Sequence, residues 1–194
     1  PNISIVSEEN PNSHLIKTSK EFFLVDPLDG TKEFLKRDGK GSFTVNVAYI
    51  RNNDPVMGIV FAPALNRLFY TNSNGIAFED NANGIKKIKV RHSMKESIVA
   101  VASSSHQDKK TAEWLHNNKI FKTVSVGSSL KFCLVACGEA DVYPRFGPTM
   151  EWDTAAGDAV LRAAGGKVEN INGTKFKYGK KNFKNTSFIA KGDF

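Results

Sequence analysis

The chain has 194 residues and a formal charge of +7, with a sequence pI of about 9.4; that length fits one large domain or two small ones and buries about 70% of the unfolded chain's surface, enough for a real core. Apolar content of 40% and charged content of 24% are those of a globular protein, and no apolar run approaches the roughly 20 residues of a membrane-spanning helix. The start, Pro1-Asn2-Ile3-Ser4-Ile5-Val6, has neither the basic region nor the long apolar stretch of a signal peptide, so a cytoplasmic location is expected, with peripheral association at the inner membrane left open.

In chain order, Ile3 to Val6 reads as a short strand ending at Ser7-Glu8-Glu9, with a turn at Asn10-Pro11-Asn12-Ser13,. Glu21 to Val25 is a second strand that delivers Asp26 into a turn, and Thr31 to Lys36 reads as one or two helical turns. Ser42 to Ile50 alternates Phe43, Val45, Val47 and Tyr49 against Thr44, Asn46 and Ala48, as a half-buried strand does,. Strands follow at Pro55 to Ala62 and Arg67 to Thr71, then a hairpin turn at Asn72-Ser73-Asn74-Gly75,. Ile76 to Phe78 and Lys86 to Arg91 continue what is then a mostly antiparallel sheet.

The pattern changes near His92-Ser93. Strands at Ile98 to Ala102, Phe121 to Val126, Ala140 to Tyr143, Lys167 to Ile171 and Ser187 to Ala190 alternate with helices. The helices are Lys109 to Asn117, a segment capped by Ser128 or Ser129 and stopped at Gly138, and the alanine-rich Thr154 to Ala164,. This is an α/β half. The expected organisation is an antiparallel-sheet subdomain over 1–91 and an α/β subdomain over 92–194, with the active site between them.

Cys133 and Cys137 share an apolar stripe with Leu130 and Leu134, which assigns them to the core, since free cysteine packs as a small hydrophobe. The histidines do not cluster around them as ligands of a structural zinc would. The lysines at 86, 87, 89, 175, 177, 180, 181 and 184 lack the aromatic repeat of a nucleic-acid module,. No nucleic-acid partner is expected, and a solvated surface or a small anionic substrate accounts for the charge.

The chemistry concentrates in Asp26-Pro27-Leu28-Asp29-Gly30-Thr31. Asp26 and Asp29 offer carboxylate oxygens, and the Leu28 carbonyl is a further oxygen, which suits Mg²⁺. Gly30 and Thr31 open a helical turn whose free amides attract a phosphate. Glu8, at a strand end, and Asp153 in Trp152-Asp153-Thr154-Ala155-Ala156-Gly157 complete a set that two metals would need to activate water and stabilise a leaving oxygen,. Each segment alone has a plain structural reading: a common turn, an N-cap and a solvated acidic pair. Their joint occurrence at element junctions points to a metal-dependent phosphatase.

With Ser7-Glu8-Glu9, Asp26 to Thr31, Trp152 to Gly157 and Ala163-Ala164-Gly165-Gly166, the chain resembles the lithium-sensitive, magnesium-dependent phosphatase superfamily that includes inositol monophosphatase and fructose-1,6-bisphosphatase. Lys32-Glu33-Phe34, the run Gly127 to Cys133 and the run Tyr143 to Thr149 are similar to its bacterial 3′(2′),5′-bisphosphate nucleotidase branch, and the likeness extends over nearly the whole chain. The resemblance implies the layered α/β sandwich of the inositol monophosphatase-like sugar-phosphatase fold, with α+β character. It implies Mg²⁺ held by Glu8, Asp26, Asp29, Asp153 and the Leu28 carbonyl, and a nucleophilic water positioned by Thr31 with Glu8. Asp29 stands with these two as catalytic. By the same resemblance Gly30, Thr31, His106, Ser128, Lys131 and Arg145 bind substrate, a small nucleotide whose 3′-phosphate is hydrolysed, giving AMP and phosphate from 3′-phosphoadenosine 5′-phosphate. The phosphosulfate analogue is a second candidate substrate.

The resemblance further implies N-terminal helices ahead of Ser7-Glu8-Glu9, with a Thr-x-x-Asp-like motif near the metals. The present sequence starts after them, so the expected fold lacks those helices and exposes sheet surface that invites self-association. Two alternatives stay open: an inositol monophosphatase, against which Lys131 and Arg145 argue because they suit a second phosphate, and an inactive truncated nucleotide-binding remnant.

Overall fold

A computed structural model of the protein describes residues 3–15, 19–35, 41–103 and 108–194. The alternating first half makes a seven-stranded sheet whose spatial order follows the chain: β1 (Ser4–Ser7), β2 (Glu21–Asp29), β3 (Thr44–Arg51), β4 (Asp54–Ala62), β5 (Arg67–Thr71), β6 (Ala77–Asn81) and β7 (Gly84–Lys87). β1 runs parallel to β2, and each later neighbour is antiparallel.

Two expectations need correction. β2 does not stop at Val25 and turn; it continues to Asp29, pairing Asp26 with Asn46 and Asp29 with Thr44 across a register shift. Pro27 and Leu28 face the single residue Val45, the count of a β-bulge, where a residue without an N–H is tolerated. The last strand of the sheet is Gly84–Lys87 rather than 86–91, because Asn81 Oδ1 accepts the Asn83 amide at 2.9 Å and turns the chain early. Beyond it the Val90 amide donates to the Ala164 carbonyl, so the chain has left the sheet for the second half.

That half holds β8 (Val99–Ser103), β9 (Lys122–Val126), β10 (Val142–Arg145), β11 (Lys167–Asn170) and β12 (Phe188–Lys191), in the order β11-β12-β10-β8-β9. β8 is parallel to β9 and β10, whereas β12 is antiparallel to β10 and β11. The helices are α1 (Thr31–Leu35), α2 (Lys109–Asn117), α3 (Leu130–Ala136) and α4 (Ala155–Ala163). Strand alternation sorts this sheet's side chains into two cores. Val101, Tyr143, Phe188 and Ala190 join the large one with α3 and α4, and Ala100, Val142 and Ile189 join Leu115 of α2. The layers are therefore sheet, α3 with α4, sheet, α2.

Every residue of α3 is buried, as is α4 from Ala155 to Leu161, which is the pattern of helices covered on all sides. Small residues let α4 lie on the first sheet: a Cβ at Gly58 of β4 would stand 2.3 Å from the Ala156 carbonyl oxygen. Cys133 is fully buried in this core, as expected, while Cys137 is half-buried, its sulfur 3.6 Å from an Arg67 nitrogen. The outer face of the seven-stranded sheet leaves Ile5, Ile59 and Phe61 exposed.

Candidate active site

Asp26 lies on the inner face of β2, and the carboxylate is buried. Its Oδ1 accepts the Leu28 amide at 2.9 Å, a product of the bulge, and its Oδ2 has no hydrogen-bond partner among the described residues. Glu8 follows β1, and its amide donates to the Val25 carbonyl at 3.1 Å, beside Asp26. Asp153 arrives from the other half. The cap of α4 is Thr154, not Asp153, and Asp153 Oδ2 instead accepts the Met150 amide at 2.8 Å. One carboxylate oxygen each from Glu8, Asp26 and Asp153 lies within 4.8 Å of the others. Burial, then Asp29 and Glu8, push the Asp26 carboxyl up to about 9; burial and Asp29 push Asp153 up to about 7. An all-oxygen set, mutually repelling and with an orphaned buried oxygen, fits a hard divalent cation.

Asp29 is not in that three-carboxylate group. Its Oδ2 accepts the Ser129 amide at 2.6 Å, and burial raises its pKa against the pull of Lys131. Leu28 enters through its amide.

Next to the carboxylates a cavity of about 330 Å³ is lined by Asp29, Gly30, Thr31, Ser128, Lys131, Arg145 and Asp153, among others. Gly30 has φ +88°, and a Cβ there would stand 3.4 Å from both Phe43 Cα and Ser128 Cβ, so the left-handed turn into α1 is a glycine position. The carbonyl of Gly30 accepts the Glu33 and Phe34 amides, and Thr31 opens α1 toward the cavity. Across from it the Ser128 hydroxyl donates to the Ser42 carbonyl, and the Gly127 amide donates to Ser42 Oγ at 2.8 Å.

Lys131, which helical spacing alone would leave on an open face, is buried. Its ammonium donates to the Ser128 carbonyl at 2.6 Å and lies 5.1 Å from the centre of the Tyr143 ring. Burial lowers its pKa to about 8, with Asp29 opposing. Arg145, at the end of β10, donates to the Pro148 carbonyl at 3.0 Å and keeps a buried Nε without a partner among the described residues. Thus one cavity gathers Thr31, Ser128, Lys131 and Arg145 beside the carboxylates. His106 lies outside the described residues.

Sequence reasoning passed over the polar residues that hold this cavity together. Ser129 was expected only as a helix cap; its hydroxyl makes no cap bond but lies 2.8 Å from Thr44 Oγ1 and donates to Asn46 Oδ1 at 2.6 Å. The usable signal was Thr44 and Asn46, polar residues on what proves to be the inward face of β3, because buried polar side chains need partners. His14, stacked on Trp152, carried no comparable signal.

The sequence profile of the inositol monophosphatase family matches residues 1–191. The chain belongs to that family. It is 45% identical over 179 residues to the 3′(2′),5′-bisphosphate nucleotidase CysQ of Salmonella typhimurium, covering 92% of this chain and 71% of the relative. The corresponding protein of Buchnera aphidicola is 42% identical, covering 98% of this chain and 72% of the relative. Among solved structures, CysQ from Bacteroides thetaiotaomicron superposes with a TM-score of 0.89 at 35% identity, covering all of this chain (100%) and 78% of that one. The inositol monophosphatase of Anabaena gives 0.78 at 25% identity, covering 100% and 75%. Phosphatases of the inositol monophosphatase family are metal-dependent, in line with the carboxylate group described above. Among the described residues no helix is long and apolar enough to cross a membrane.

Proposed function

We propose that this chain is a Mg²⁺-dependent 3′(2′),5′-bisphosphate nucleotidase that hydrolyses the 3′-phosphate of 3′-phosphoadenosine 5′-phosphate to AMP and phosphate. The carrying observation is that the cavity beside the three-carboxylate group, reached by Asp153, is also lined by the buried ammonium of Lys131 and the half-buried guanidinium of Arg145. Lys131 and Arg145 suit a second phosphate, which an inositol monophosphate lacks. The relatives at 42% and 45% identity are both 3′(2′),5′-bisphosphate nucleotidases, which supports the same reading. The chain's own segments 1–91 and 92–194 would each supply part of the site.

Glu8, Asp26, Asp153 and the Leu28 carbonyl would hold Mg²⁺, with Asp29 beside them. When bound, the ion supplies a lowered water pKa and charge neutralisation at the phosphate oxygens. Thr31 and Glu8 orient the water for in-line attack on the 3′-phosphorus. The amides of Gly30 and Thr31, residues that line the cavity where α1 begins, would receive phosphate oxygens,. Asp29, fixed by the Ser129 amide, keeps its carboxylate directed at the same region. Lys131 and Arg145 neutralise the second phosphate, Arg145 through the Nε that has no partner among the described residues,. Ser128, which lines the cavity, would complete the nucleotide contacts, and the family resemblance adds His106. Product release frees AMP and inorganic phosphate.

The test is phosphate release from 3′-phosphoadenosine 5′-phosphate with and without Mg²⁺, in parallel with inositol 1-phosphate. Release should require Mg²⁺, favour the bisphosphate, and fall on the order of 100-fold or more in Asp26→Asn, as loss of a metal ligand demands. Equal turnover of the inositol ester would select the inositol monophosphatase reading, and no release from folded protein would leave a nucleotide-binding remnant.

A further inference from the structure

The three carboxylates meet from distant points of the chain, and two of them hang on loops. Glu8 is exposed and follows the last residue of β1. Asp153 sits in the turn before α4. Their separation depends on what joins the end of β1 to that turn.

The 3-10 turn Pro11–Leu15 folds back on β1. Ser13 Oγ accepts the Ser7 amide at 3.0 Å and donates to the Asn10 carbonyl at 2.6 Å. This places His14 with its Nε2 at 2.8 Å from the Ser7 carbonyl oxygen. A carbonyl only accepts, so Nε2 carries the proton. The face of the same ring lies on the Trp152 indole, with centroids 4.7 Å apart and planes at 19°. Trp152 is buried, and Phe183 packs near both rings. One imidazole thus bonds the peptide unit that leads into Glu8 and stacks on the side chain that precedes Asp153.

We infer that His14 is a positioning residue that sets the separation of the Glu8 and Asp153 carboxylates and, through it, the affinity of the site for divalent metal. The inference rests on the ligand assignment made under the proposed function. Glu8 is fastened to β2 by its own amide on the Val25 carbonyl, which fixes it relative to Asp26. His14 adds the link across to Asp153, the ligand from the other half. Residues that orient metal ligands in this way change affinity or activity by roughly 10–100-fold when removed.

The experiment measures Mn²⁺ binding to the metal-free full chain by electron paramagnetic resonance, together with the Mg²⁺ concentration for half-maximal turnover. His14→Ala should weaken Mn²⁺ binding about 10-fold and raise the Mg²⁺ requirement in proportion, while KM for the nucleotide at saturating Mg²⁺ holds. His14→Phe keeps the stack and His14→Gln keeps a donor, so each should recover part of the affinity; this pair serves alone if His14→Ala does not fold. Asp153→Asn is the control. If it weakens Mn²⁺ binding and the His14 variants bind as the parent does, this inference fails and the ligand assignment stands. If Asp153→Asn also binds as the parent does, the ligand assignment fails and this inference falls with it. Loss of affinity that only tracks loss of metal-free thermal stability, with no recovery in Phe or Gln, would also overturn it.

Discussion

At the scale of single residues, Asp26 has the largest consequence. Without metal its carboxyl is raised from 3.8 to about 9, by burial first and then by Asp29 and Glu8. The folded chain therefore keeps a proton that the unfolded chain has lost. The stability this gives is fully present below the unfolded pKa and is lost as pH rises toward 9. Stability, and Tm with it, therefore falls as pH rises through that window. Asp153, raised to about 7, adds to the fall at the acid end. Thermal unfolding in chelator from pH 4 to 9 should show this decline, and Asp26→Asn should flatten most of it. Parallel parent and variant curves would contradict the electrostatic account. Bound metal reverses the sign, since it takes the ionised carboxylates and gains with pH.

At the scale of elements, the inner helix layer depends on close approach. Gly58 faces Ala156 and Ala159 of α4, and an added Cβ would stand 2.3 Å from the Ala156 carbonyl oxygen and 2.8 Å from Ala159 Cβ. A backbone oxygen cannot rotate away, so Gly58→Ala should cost about 2–3 kcal/mol and lower Tm by about 6–9 °C. Differential scanning calorimetry of metal-free protein would measure it, and an unchanged Tm would mean that α4 rides higher on β4. Elements of this kind were readable in advance: Thr154 to Ala164 is rich in alanine, and Ser42 to Ile50 alternates. What escaped reading is where tertiary pairing overrode local signals. Asp-Pro-x-Asp-Gly reads as a turn, yet β3 draws Asp29 into the ladder opposite Thr44 and converts the turn into a bulge. Ser129 reads as a cap, yet Asp29, a hundred residues earlier, takes its amide. Lys131 reads as exposed because helix spacing says nothing of which strand ends close over it. In each case the deciding partner is remote in sequence.

At the scale of the whole molecule, the +7 charge says less than its distribution. Lys175 and Lys177 pair with Asp54, Lys180 with the buried Glu151, Lys86 with Glu79, and Lys167 and Lys191 with Glu169. Much of the basic tail that stands out in the sequence is thus spent on structure, whereas Lys131 and Arg145 line the cavity. The acidic groups divide differently. Glu8 and Asp26 belong to the first sheet, and Asp153 stands on the turn into the helix that packs against that sheet from the second half. A cation held by all three requires both halves folded and docked, so its binding energy belongs to the one global transition. At 100 times the Kd, a ligand specific for the folded state adds about 2.7 kcal/mol, which raises Tm by about 8 °C. Titrating Mn²⁺ into chelator-stripped protein should move a single unfolding transition by that amount, and Asp26→Asn and Asp153→Asn should each abolish the shift although they lie in opposite halves. A scan that splits into two transitions, only one of which responds to metal, would mean that the site belongs to one half alone.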